Sequence, residues 1–227
     1  MNNYATRTQA DEFIKKGLIT INGRKAVLGD KVEKDDKVVV NNKKIKNDYV
    51  YYAYNKQVGI STNPDVGSKD ILKVTRFPVK VFPVGRLDKD SHGLMLMTND
   101  GRVTDRLLSP KYTHEKEYVV KVEPNFSDSF VNLMKGGVHF DGYVSRKCLV
   151  SRAKNAKGQE SKDTFHIILT EGKKRQIRRM CEALHHAVVD LKRIRIMNIE
   201  LPKIKPGEYK EITGQELDTL LKSLKLK

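Results

Sequence analysis

The chain has 227 residues, with 44 lysines and arginines against 28 aspartates and glutamates, a formal net charge of +16. That length allows one full core plus a small appendage, and the charge favours a polyanionic partner, nucleic acid before a membrane surface, because neutralised phosphates release condensed counterions. Its two cysteines form no CxxC pair, its first nine residues are polar, and no apolar run reaches membrane-spanning length, which argues against a zinc site, a disulfide framework, a secreted protein or a membrane protein, and for a reducing cytoplasm.

In chain order, Thr6-Arg7-Thr8-Gln9 has the form of a capping box. Ala10, Phe13 and Ile14 then share a helical face, and Gly17 is a natural stop. Residues 18–21 read as a strand, Asn22-Gly23 as a tight turn and residues 38–40 as a second strand. The polar, lysine-bearing stretch 41–48 reads as a linker, dividing the chain into residues 1–47 and 48–227. Residues 49–54, aromatic and β-branched, predict a strand whose tyrosines divide between core and rim. Apolar runs at 79–84 and 94–97 predict two strands with a polar loop, residues 86–92, held between them and bracketed by Gly85 and Gly93. The Asn99-Asp100-Gly101 that follows is a turn signal.

Residues 103–108 have helical spacing and stop at Pro110; 111–116 is a basic loop and 117–122 an alternating strand. Ser127 caps a short helix, with Phe126 and Val131 placed as a hydrophobic staple and Gly136-Gly137 as its end. Strands follow at 138–140, 147–150 and 164–169, with a lysine-rich hairpin turn at 153–159. A helix starting at Arg175 puts Ile177, Met180, Cys181 and Leu184 on a buried face. Arg175, Arg178 and Arg179 lie opposite, spaced to clamp phosphates or carboxylates. Residues 188–199 contain an alternating strand with its basic residues outward. Thr213-Gly214-Gln215-Glu216 is a second capping box, opening a helix whose core face is Leu217, Leu220, Leu221 and Leu224. After residue 49 strands outnumber helices without regular alternation, which predicts an α+β fold on a mixed, mostly antiparallel sheet.

The central loop carries more than composition. Gly85-Arg86-Leu87-Asp88, continued by Ser91-His92-Gly93-Leu94-Met95-Leu96-Met97-Thr98-Asn99-Asp100-Gly101, resembles the catalytic loop of the RsuA/RluB/RluE/RluF-type pseudouridine synthases. Lys116-Glu117-Tyr118, Leu169-Thr170-Glu171-Gly172 and Arg175-Gln176-Ile177-Arg178-Arg179-Met180 match further motifs of that family, and Arg193-Ile194-Arg195-Ile196-Met197-Asn198-Ile199 puts the RluF branch nearest. Gly17-Leu18-Ile19-Thr20-Ile21-Asn22-Gly23, with Gly29-Asp30 and Asp35-Asp36-Lys37-Val38, resembles an S4 RNA-binding domain that lacks its first helix. Where the family has proline after Lys56, this chain has Gln57, which predicts a looser turn.

The resemblance implies a pseudouridine-synthase fold and an isomerase that turns a specific uridine of ribosomal RNA into pseudouridine. The large-subunit RNA is the leading substrate and tRNA a second one; no metal and no organic cofactor are implied. It makes Asp88, Tyr118 and Arg178 catalytic, with Tyr118 against one face of the uracil, Leu169 pressing the other, and Arg178 beside Asp88. The residue types suit the reaction, which detaches uracil from C1′, rotates it and rejoins it through C5. A carboxylate acting as nucleophile or as base must be ionised, and a neighbouring guanidinium favours that form. Arg86, two residues before Asp88, is a candidate to fill a vacated base stack or hold phosphate, and Arg175 and Arg179 are candidates to bind RNA. Asp90 is the rival carboxylate, but the motif favours Asp88. His92 lies in the loop, and His185-His186 at a helix end suits a cap. The expected assembly is a monomer. The alternative is a non-catalytic RNA-binding or ribosome-assembly protein on the same fold, which has no need of Asp88, Tyr118 and Arg178 together; an N-glycosidase releasing free uracil is a third reading.

Overall fold

The computed structural model describes residues 7–33, 35–41, 49–62, 69–109 and 111–227. Thr6 of the first capping box, most of the expected linker and Pro110 lie outside the described residues.

The N-terminal segment builds a small unit of its own. Helix α1 (Arg7–Lys15) ends at Gly17, whose φ of +65° only glycine adopts easily. Strands β1 (Ile19–Ile21), β2 (Arg24–Lys25) and β3 (Val38–Val40) form an antiparallel sheet in the order β2-β1-β3. Asn22 and Gly23, both at positive φ, make the tight turn that the sequence predicts. Phe13, Ile19, Ile21 and Ala26 form a separate small core.

The rest is organised by one large sheet. Its elements are β4 (Tyr51–Lys56), α2 (Ile71–Val74), β5 (Phe82–Pro83), β6 (His92–Thr98), α3 (Gly101–Leu108) and β7 (Lys116–Glu123). Next come α4 (Asp128–Gly136), β8 (His139–Phe140), β9 (Tyr143–Val144), β10 (Leu149–Lys154), β11 (Glu160–Leu169) and α5 (Gln176–Ala183). The chain closes with β12 (Ala187–Ile196), β13 (Ile199–Glu200), β14 (Tyr209–Glu211) and α6 (Gly214–Ser223). The strand order is β10-β11-β7-β12-β6-β4-β14, with β5 added to β6 and β13 to β12. Among the described pairings of this sheet only β12 with β6 is parallel, so the expected α+β, mostly antiparallel architecture holds. No helix of the described residues is long and apolar enough to cross a membrane.

Both faces of the sheet centre are covered. Tyr52, Tyr54, Met95 and Met97 join one apolar cluster, and Tyr51, Ala53, Leu94 and Leu96 join the other. Every residue of β4 is therefore buried, where core and rim were expected to alternate. The buried tyrosines keep partners for their hydroxyls: Tyr51 donates to Asp100 Oδ2 at 2.8 Å, and Tyr54 accepts from Thr75 at 3.1 Å. Asp100, predicted in a turn, caps α3 and takes two side-chain hydrogen bonds of 2.8 Å from Arg102.

Two local expectations change. The run at 79–84 yields only the two-residue β5, because Pro83 has no N–H to continue a ladder. Thr213 sits at the N-cap of α6 but its side chain makes no capping hydrogen bond, whereas Ser127 does cap α4, accepting from Phe130 N at 3.4 Å.

Gly93 fixes the sheet's centre. It pairs with Arg193 at the parallel junction of β6 and β12, and a Cβ there would lie 2.3 Å from the Arg193 carbonyl oxygen. Only glycine lets the two strands approach that closely at φ +100°.

Candidate active site

The loop between β5 and β6 is fastened from below. Lys56, the last residue of β4, has 0% exposure. Its ammonium donates to the backbone carbonyls of Ser91 at 2.7 Å and of Asp88 and Gln57 at 3.0 Å, with that of Lys89 at 3.4 Å. Burial pushes its pKa down to about 8, against the opposing pull of Asp90 and Asp88. Thr62 adds a second tie, donating to Leu87 O at 2.6 Å and accepting from Leu87 N at 3.2 Å. Sequence reasoning gave Lys56 no role in the site. Its one signal was a lysine closing a strand that has no other charge.

So held, the loop turns Asp88 into a cavity of about 470 Å³. Arg86, Tyr118, Leu169, Arg175 and Arg178 line the same cavity, so residues spread over ninety positions of sequence converge. The Asp88 carboxylate has no hydrogen bond or ion pair among the described residues. Arg86 is exposed at the same opening.

The arginines distribute differently from expectation. Arg178 does not pair with Asp88. Its Nε lies 3.3 Å from Asp90 Oδ2, and its Nη2 donates to Asp90 O at 3.1 Å and Ser91 Oγ at 3.3 Å. Its Nη1 reaches Val188 O at 3.0 Å. Arg175 adds a forked contact to Asp90 at 3.2–3.3 Å. Burial alone would raise the Asp90 pKa, but the Arg175 hydrogen bonds and the Arg178 charge outweigh it and hold the carboxyl below its ordinary value. The rival carboxylate is thus occupied by Arg175 and Arg178, and Asp90 is not among the residues lining the cavity. Arg178 braces the turn that presents Asp88 instead of touching its carboxylate.

Arg179 leaves the cluster. It pairs with Asp141 and lies over the Phe140 ring at 4.9 Å, away from the cavity. The face predicted from 3.6-residue spacing fails because Arg175 is the N-cap, at φ +52° in the left-handed region, and so is outside the helical register.

Tyr118 and Leu169 are also not opposed. Tyr118 pairs across the ladder with Ile167, and Leu169 with Lys116, so the two are diagonal neighbours on one sheet face. They form an apolar floor rather than two jaws. Two further cations share that floor. Lys116 is two residues before Tyr118, and Arg193 lies directly across from Tyr118 on β12. Arg193 was expected to point outward with its basic neighbours. A register shift between Arg193 and Arg195 breaks the alternation. Arg193 is consequently 3% exposed, while Arg195 pairs with Glu115 and Glu117.

Among the described residues, eight lysines and arginines line the cavity against two carboxylates, Asp88 and Glu171, so it will draw in a polyanion. A mixed sheet carrying a base-sized cavity, a tyrosine on its floor and one unpartnered carboxylate defines an enzyme that acts on a nucleotide within a nucleic acid. Residues 48–183 match the family described as RNA pseudouridylate synthase. The chain is 40% identical to the dual-specificity RNA pseudouridine synthase RluF of Salmonella typhi, covering 96% of this chain and 74% of that protein. It is 34% identical to the ribosomal large subunit pseudouridine synthase B of Bacillus subtilis, covering 95% and 90%. A crystal structure of a pseudouridylate synthase superposes with a TM-score of 0.70 at 26% identity, covering 96% of this chain and 95% of that one. This chain belongs to the RNA pseudouridine synthase family, isomerases that convert uridine in RNA to pseudouridine.

Proposed function

We propose that this enzyme modifies a uridine of large-subunit ribosomal RNA, takes tRNA as a second substrate, and works in the cytoplasm as a monomer without metal or organic cofactor. The names of its relatives support the RNA classes: one is a large-subunit enzyme and another is called dual-specificity. Residues 1–47 serve as an S4-like RNA-binding module and residues 48–227 as the catalytic domain; the separate sheet and core of the N-terminal segment support that division.

The observation that carries the mechanism is the free Asp88 carboxylate in a cavity shared with Tyr118 and Leu169. A uridine flipped out of its stack lays its base on the floor, and Asp88 acts on the sugar. Arg178 fixes the turn, so Asp88 meets C1′ or C2′ in one orientation. Arg86 and Arg175 at the opening take phosphate or replace the flipped base. The test is to map pseudouridine in ribosomal RNA and tRNA from cells with and without the protein, and to assay Asp88→Asn on the site so found. Loss of conversion with RNA binding retained is expected. Conversion by Asp88→Asn would remove Asp88 from its role, binding without conversion by the wild type would favour an assembly factor, and release of free uracil a glycosidase.

A further inference from the structure

The cavity floor contains positive charge that the protein leaves unbalanced. Lys116 faces Leu169 across the β7–β11 ladder, and Arg193 faces Tyr118 across the β7–β12 ladder. Directly opposed residues share a sheet face, so both cations belong to the patch on which the base is proposed to rest. Neither has a carboxylate partner among the described residues. The Lys116 ammonium makes one long hydrogen bond, to His114 O at 3.4 Å. The Arg193 guanidinium is tied by Nε to Leu94 O at 2.7 Å and by Nη2 to the Met95 sulfur, which fixes it in the floor.

A buried guanidinium beside a half-buried ammonium is costly unless an anion completes the site. Burial lowers the Lys116 pKa, and Arg193 lowers it further, as expected for cations that repel one another. Phosphates have nearer partners, because Arg86, Lys173 and Lys174 stand exposed at the opening. What reaches the floor is the base. The reaction makes that base an anion: the C1′–N1 bond breaks with its electron pair leaving on the uracil, delocalised over N1, O2 and O4. A C1′–C5 bond then forms from the ring's π electrons, the proton on C5 is lost to a base, and N1 takes up a proton.

We propose that Lys116 and Arg193 form a uracil-anion site, donating to the ring oxygens while the base is detached from the sugar. This rests on the pseudouridine synthase reading, and it assigns catalytic contact to two residues beyond Asp88 and Tyr118, with Arg178 acting through the turn it braces. Donors fixed in advance around a developing charge act in the transition state more than in the bound substrate. They also hold the free base while it turns.

The experiment compares wild type with Lys116→Met, Lys116→Gln and Lys116→Arg in single-turnover reactions. The substrates are target RNA with uridine, and the same RNA with 5-fluorouridine, whose departing base is the weaker one and needs less help. Consumption of the target nucleoside and RNA affinity are measured, with melting temperature as the control for folding. For the two neutral variants the expected result is a rate at saturation roughly 100-fold lower on uridine, unchanged RNA affinity, and a defect about tenfold smaller on 5-fluorouridine. Lys116→Arg should recover most of the rate. Weakened RNA affinity with an unchanged saturating rate would make this a phosphate site and overturn the proposal. An equal defect on both substrates would make Lys116 structural and overturn it too. If the neutral variants do not fold, Lys116→Arg decides: the rate loss it shows must still be smaller on 5-fluorouridine. A wild type that forms no pseudouridine would instead count against the underlying function.

Discussion

Replacing Lys56 by methionine tests how the loop bearing Asp88 is held. Methionine matches the shape of the lysine stem but donates nothing. Lysine has three N–H groups, and its shortest contacts are to Ser91, Asp88 and Gln57 carbonyls at 2.7–3.0 Å. Hydrogen bonds from a charged donor contribute roughly 1.5–3 kcal/mol each. Against this stands the cost of keeping the ammonium charged at neutral pH. With a pKa pushed from 10.5 to about 8, that cost is about 3 kcal/mol. The net loss for Lys56→Met is about 2–6 kcal/mol, a fall in Tm of roughly 4–24 °C for a chain of this size. The pH dependence identifies the cause. Because the folded pKa is the lower one, the folded state binds fewer protons between about pH 8 and 10.5. Wild-type stability therefore gains on the variant as pH rises through that window, by up to about 3 kcal/mol. Pseudouridine formation should fall about 100-fold at saturation, since misplacement of a reacting group by about 1 Å costs that much. The assays are thermal melts of both proteins from pH 7 to 10 and single-turnover modification at pH 7. A variant that melts with the wild type and converts uridine at its rate would refute the view that Lys56 positions Asp88.

Gly93→Ala should lower stability by roughly 3 kcal/mol in chemical denaturation, because the added methyl meets the Arg193 backbone at 2.3 Å and neither strand can yield. Asp90→Asn should slow modification by releasing Arg178 and Arg175 from the turn. Its stability cost stays below about 1 kcal/mol, since Asp90 is half exposed and screened. Because the folded carboxyl titrates below 3.8, that cost should be full above about pH 4 and vanish as pH falls through the folded pKa, as melts across pH 2–6 would reveal. The native protein should resist thiol alkylation at pH 8 and react fully once unfolded, because burial pushes Cys181 up to about 12 and Cys148 up to about 11; rapid labelling of Cys181 in the native state would contradict its burial.

Much of the site was legible because its parts are contiguous. A loop between two apolar runs, with Gly93 at one end, follows from local chemistry, and so does the Asn22-Gly23 turn. The motif around Asp88 pointed to the carboxylate that lines the cavity, although Asp90 is two residues away and better furnished with arginines. What failed needed register or phase. Arg193 was assigned outward because alternation was assumed to run unbroken, and a bulge two residues later reverses the pattern. Arg179 was grouped with Arg175 because helical spacing was counted from a residue that is left-handed. Leu169 was set against Tyr118 because neither pairing partner was known.

By itself the sequence determined which residue types stand in the loop and where the chain turns, since glycine, proline, capping residues and apolar period act over a few positions. Only the tertiary structure decided which cation faces which anion: Lys56 beneath the loop, Asp90 absorbing two arginines, Asp88 left free. Those pairings join residues more than thirty positions apart, and at that range charge interacts through distance in space, which the pairing register of the sheet sets.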